Sequence, residues 1–180
     1  MAKNTMISET DRNYIIWQNR AFQYYLAARL LRLNEQYSAA VFCGYQAIES
    51  LMKATLLYWD KCFVPEAAGH KMAGMIRTIR NKVNGAKHFE CPRYFYFEKR
   101  YQSVTRYPAK GKGIGVPSSF LGDLDRTFRV LVEFVPFQYN SLLVNTLKGE
   151  NRKDLQILRR ANREMRKLRR FLNVRLAKRA

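Results

Sequence analysis

A chain of 180 residues, 47% hydrophobic and 13% aromatic, is the size of one domain and has enough apolar material to build a core. Its 33 Lys and Arg against 14 Asp and Glu leave a formal charge of +19, far more than solubility requires. Such a field attracts polyanions by steering and counterion release, so nucleic acid is the first candidate partner.

The three cysteines, Cys43, Cys62 and Cys91, contain no C-x-x-C pair and suit a reducing, cytoplasmic setting. No apolar run approaches the roughly 20 residues that span a bilayer, and residues 1–8 lack the apolar stretch of a signal peptide, so neither insertion nor export is expected. A membrane surface is disfavoured as the basic face's partner, because peripheral anchors set bulky apolar residues opposite a basic face at one terminus only.

Along residues 11–33, Tyr14, Trp17, Ala21, Tyr24, Ala28 and Leu31 recur at the three-and-four spacing of one helix face. After the polar break Asn34-Glu35-Gln36 that spacing resumes at Tyr37, Ala40, Val41, Gly44, Ile48, Leu51, Met52, Thr55 and Leu56, predicting a second helix of more than five turns. Pro65 and Gly69 mark a loop, and Met72, Met75, Ile76, Ile79 and Val83 predict a third helix that stops near Asn84-Gly85. Residues 92–101 are dense in aromatics, and with no partner strand nearby they are expected to be helical or irregular. Tyr107-Pro108 opens a glycine- and proline-rich loop. Ser118 or Ser119 then caps a fourth helix through Val135, burying Phe120, Leu121, Leu124, Phe128, Leu131 and Val132, with Asp123 and Asp125 near its positive end. Pro136 ends it, and a short helix is expected within 137–147.

Residues 151–180 predict one long helix with Leu155, Leu158, Ala161, Met165, Leu168, Leu172 and Leu176 on a single stripe, too short a heptad pattern for a coiled coil. The expected fold class is all-α, with a helical bundle over 1–148 and an arginine-rich amphipathic helix over 149–180. Within it, residues 151–180 hold 12 Lys and Arg against Asp154 and Glu164, and so carry +10 of the +19. Its apolar stripe requires cover from the bundle, a second subunit or a partner.

Four motifs arrive in order: Gln46-Ala-Ile-Glu49-Ser-Leu-Met-Lys53-Ala, Gly69-His70-Lys71-Met72, Arg100-Tyr101 and Arg106-Tyr107-Pro108. Over about residues 11–135 the chain resembles the HEPN domain family. The resemblance implies an up-and-down four-helix bundle that often dimerises, in a family of RNA-cleaving toxins, nucleotide-binding modules and nucleotidyltransferase partners. Its cleaving members carry Arg, four to six residues, then His. Here Arg80 precedes His88 by too many residues, and no Arg stands at that distance before His70. The Arg106-Tyr107-Pro108 form resembles the non-cleaving branch.

No metal or cofactor is expected, since two histidines and three scattered cysteines offer no ligand cluster, and the glycine-rich loop around Lys110 and Lys112 lacks the Gly-Lys-[Ser/Thr] ending of a P-loop. Glu49 and Lys53, four apart, suit a surface ion pair. Because Glu49 lies within an apolar face, a polar cluster with a cation such as Arg100 or Arg106 is the sharper expectation, and the resemblance adds His70. His88, beside Lys87, is expected to be solvated. For nucleic acid, Arg93, Lys99, Arg100, Arg106 and Tyr107 interleave cations with rings that can stack on bases, and Lys110 and Lys112 add a mobile contact. In the tail Arg159, Arg160, Arg163, Arg166, Lys167, Arg169 and Arg170 are the phosphate-binding candidates.

The expected function is a non-catalytic accessory protein that binds nucleic acid, RNA in preference to DNA, and forms a homo-oligomer, a dimer first. The alternatives are a metal-independent ribonuclease using Arg106 and His70, and an assembly subunit of a ribonucleoprotein or polymerase.

Overall fold

The computed structural model describes residues 9–92, 95, 117–137, 141–168 and 170, and within them every regular element is a helix and no strand occurs. In chain order these are α1 (Glu9–Leu33), α2 (Tyr37–Trp59), α3 (Pro65–Ala68), α4 (Met72–Lys82), α5 (Phe120–Phe134), α6 (Leu142–Lys148) and α7 (Arg152–Arg159).

The first two helices form a long hairpin. A three-residue connection leaves antiparallel packing as the only geometry for elements of 25 and 23 residues, and Glu35 takes a positive φ of 62° to make the turn. α2 is the central element, with every residue from Gly44 to Leu57 buried. α5 and α4 pack against it, while α5, α6 and α7 touch α1. The core joins Ala21, Phe22, Tyr25 and Ala28 of α1 to Ile48, Leu51 and Met52 of α2 and to Phe120, Leu124, Phe128 and Leu131 of α5. α2 and α5 approach most closely at Gly44, where an added Cβ would lie 2.7 Å from Cζ of Phe120.

Local chemistry accounts for some element ends, but Ser119, at the start of α5, makes no side-chain cap bond. Pro65 opens α3 in the first turn, within what the sequence reads as loop, because its fixed φ and missing N–H suit that position. Gly85, with φ 80°, follows α4 as the stop predicted at Asn84-Gly85. Ser141 accepts from the Val144 N–H to start α6, and Gly149, with φ 91°, ends it. Most of the aromatic run and the whole glycine-rich loop, 93–94 and 96–116, lie outside the described residues. Phe95 is buried, its ring 5.9 Å from that of Phe120.

One predicted element is corrected. Residues 151–180 are not a single helix from their start: α7 stops at Arg159, Arg160 is extended, Ala161 takes φ 49°, and helical structure resumes only at 165–168. Ala161, assigned to the buried stripe, is therefore exposed, whereas Leu158, Met165 and Leu168 are buried against the bundle. Leu172 and Leu176 lie outside the described residues.

Candidate functional site

The break in the basic segment is made by an arginine from the opposite end of the chain. Arg29 of α1 is fully buried, and its Nε donates to the carbonyl of Ile157 at 3.2 Å while Nη2 donates to the carbonyl of Arg160. In an uninterrupted helix those carbonyls would accept from N–H groups four residues on; where α7 stops they are orphan acceptors at a negatively polarised terminus, which a guanidinium satisfies. Asn162 restarts the chain, its Oδ1 accepting from the Met165 N–H at 3.1 Å and its Nδ2 donating to the Tyr25 hydroxyl at 3.0 Å.

The charge of Arg29 is balanced within the core. Nη1 donates to Oδ1 of Asp125, which also accepts from the Tyr25 hydroxyl at 2.6 Å, and the Tyr25 ring stacks on Phe128 at 4.1 Å. Burial pushes the Asp125 carboxyl above its usual value against the opposing pull of Arg29, and burial with the Asp125 charge raises the Tyr25 phenol well above its own. Asp125, in the second turn of α5, thus partners a buried guanidinium. Sequence reasoning missed this group. Its signal was the stripe Gln18, Phe22, Tyr25, Arg29 at helical spacing, an arginine on a face that otherwise goes inside.

This latch fixes where the basic side chains stand. Arg159, Arg160, Arg163, Arg166, Lys167 and Arg170 are all exposed. Glu164 accepts from Lys167 at 3.1 Å and from Arg129 at 2.6 Å, and these bonds outweigh its partial burial and hold its carboxyl below the usual range. The five exposed arginines form no ion pair with a carboxylate among the described residues. Arg169 lies outside the described residues, as do Arg93, Lys99, Arg100, Arg106, Tyr107, Lys110 and Lys112.

The structure brings together Glu49, Lys53 and His70, and it does so in the interior. Lys53 Nζ lies 2.7 Å from Glu49 Oε1, both side chains are almost fully buried, and the ammonium sits 4.8 Å from the Trp17 ring centroid. The pair is therefore not on the surface. The second carboxylate oxygen lies 2.9 Å from Nδ1 of His70, whose side chain is 45% exposed and whose carbonyl accepts from the Tyr45 hydroxyl at 3.0 Å. A buried carboxylate on one ring nitrogen orients an imidazole and leaves the other nitrogen for a ligand. His88 is exposed, as expected.

Among the described residues no group of three or more His, Cys, Asp or Glu could hold a metal ion, all three cysteines are free thiols, and no helix is long and apolar enough to cross a membrane. Neither family models, curated proteins nor solved structures provide a match to this chain.

Proposed function

We propose that this protein is a non-catalytic, HEPN-like accessory subunit of the cytoplasm that holds RNA through its basic surface and self-associates as a dimer. The observation that carries the reading is the latched tail. Arg159, Arg160, Arg163, Arg166 and Arg170 stand exposed without a carboxylate partner among the described residues, on a segment whose apolar residues and backbone are docked on the bundle, in a chain of charge +19. Such a cation array repels itself until a polyanion relieves it. What supports the HEPN-like part of the reading is the long α1–α2 hairpin with α4 and α5 packed against α2.

The latch decides how the reading is tested. Deleting 151–180 would expose the core around Arg29 and Leu158, so charge must be removed without removing the segment. Arg159, Arg160, Arg163, Arg166 and Arg170 all changed to Gln should weaken binding to a single-stranded RNA and flatten the plot of log affinity against log salt by about 0.7 for each cation that touches phosphate. An unchanged slope in a folded variant refutes the assignment.

The Glu49–His70 hydrogen bond favours one second reading, a ribonuclease in which His70 transfers the proton. RNA cleavage by the purified wild type that disappears in His70→Ala would support it.

A further inference from the structure

A second surface lies away from the basic tail, at the end of α2. Tyr58 and Trp59 are 43% and 40% exposed although both are large aromatics, and Val64 beyond them is 53% exposed. Their rings meet edge to face at 5.7 Å, and Tyr14 packs on Tyr58 at 5.5 Å. The indole is held rigidly, because Nε1–H donates to the carbonyl of Phe134 at 2.6 Å.

That bond ties the aromatic face to a cavity. Phe134 meets Phe89 edge to face at 5.8 Å, and the Phe89 carbonyl accepts from Nε of Arg80 at 2.7 Å. Arg80 and Phe89 line a cavity of about 590 Å³ with His88, Arg126 and Thr127, a size within the range of small-ligand sites. Its acids are largely answered: Asp123 faces Arg126 at 3.8 Å, and Asp60 beside the rings holds Lys82 at 2.6 Å. Glu90 lies on the cavity wall with Arg80 and Arg126.

We propose that the Tyr58–Trp59 face and the Arg80–Arg126 cavity, linked to it through Phe134 and Phe89, form one track for unpaired nucleotides of RNA, with Trp59 stacking a base and the two arginines holding the phosphates that follow. The inference rests on the RNA-binding reading and narrows it to single strands. A partly exposed ring with a fixed edge suits an unstacked base, whereas a duplex keeps its bases stacked inside. Exposed aromatics next to phosphate-directed cations are the general composition of single-strand sites.

The test uses the full chain, an unstructured oligouridine and a blunt RNA duplex of equal length at one salt concentration. Trp59→Leu should weaken oligouridine binding by about five- to 150-fold, the range for loss of one stacked base, and leave duplex binding within about two-fold. Arg80→Gln with Arg126→Gln should also weaken the strand more than the duplex. In a Trp17→Phe background Trp59 is the sole indole, and oligouridine should quench its emission along the binding isotherm; this keeps the test decisive if Trp59→Leu does not fold. If both RNAs bind but Trp59→Leu affects neither or both equally, or the emission does not change, the track is refuted while the tail reading stands. If neither RNA binds the wild type, both fall.

Discussion

Arg29→Met isolates the buried latch with little change in side-chain length. The substitution leaves Asp125 buried without its guanidinium and strips the carbonyls of Ile157 and Arg160 of their donor. Breaking a buried ion pair by removing one partner costs about 3–5 kcal/mol, and the freed carbonyls add little if water reaches Arg160, which is exposed. Against a total stability of about 5–15 kcal/mol the variant should still fold, with a markedly lower urea midpoint. The loss should depend on pH in a defined sense. Burial already raises the Asp125 carboxyl, and without Arg29 only the bond from the Tyr25 hydroxyl opposes the shift, so the native state takes up a proton that the unfolded chain releases. A raised folded pKa contributes stability that is present at low pH and lost as pH rises through it, so the deficit against wild type should be smaller at about pH 5 than at about pH 8. Adding Asp125→Asn to Arg29→Met should recover part of the loss at the higher pH. The assay is urea unfolding followed by circular dichroism for both single variants and the double. A deficit below about 1 kcal/mol, or strictly additive single costs, would refute the claim that one buried charge pair holds the tail.

Gly44→Ala should destabilise by about 1–2 kcal/mol, since the clash with Phe120 outweighs the helix-propensity gain of roughly 1 kcal/mol; a stabilised variant in thermal unfolding would contradict the close approach of α2 and α5. With a thiol reagent the native protein should show one fast equivalent, the exposed Cys62, a slower Cys43 and no reaction at Cys91 until unfolding, because burial pushes the Cys91 thiol up to about 12. Glu164→Gln should lower the urea midpoint near neutral pH and converge with wild type in acid, as a depressed carboxyl contributes stability above its unfolded value of 4.5 and loses it as pH falls through the folded one. Lys53→Met should cost about 3 kcal/mol or more by leaving the Glu49 carboxylate buried with, among the described residues, only His70 hydrogen-bonded to it, whereas a surface pair would cost less than about 1 kcal/mol.

Periodicity located what depends on periodicity. The apolar spacing of residues 11–33, 37–56 and 72–83 marks α1, α2 and α4 within a few residues, and Gly85 and Ser141 act at element ends as their chemistry requires. The tail failed for a specific reason. Leu155, Leu158, Met165 and Leu168 keep a helical register across the break, so the stripe alone cannot reveal Ala161 in the left-handed region. The cause lies more than a hundred residues earlier, in an arginine whose partners are carbonyls of α7 and a carboxylate of α5. Glu49 shows the converse. Its place in an apolar face signalled a cluster and its i+4 spacing signalled Lys53, but the burial of that pair is made by tertiary packing.

The buried and the exposed arginines are opposite halves of one arrangement. Arg29 has its charge neutralised by Asp125 and uses its remaining donors on the chain turn between α7 and the helical stretch that follows. With that turn fixed and Leu158, Met165 and Leu168 inside, the side chains of Arg159, Arg160, Arg163 and Arg166 have solvent as their surroundings. A free polycationic arm would lose conformational entropy on meeting a polyanion. A latched one has its backbone ordered before the encounter, so binding charges to it mainly the side-chain part. The salt dependence of the five-arginine variant and the stability of Arg29→Met therefore probe the same design from its two sides: the first removes the cations and keeps the scaffold, and the second loosens the scaffold and keeps the exposed cations.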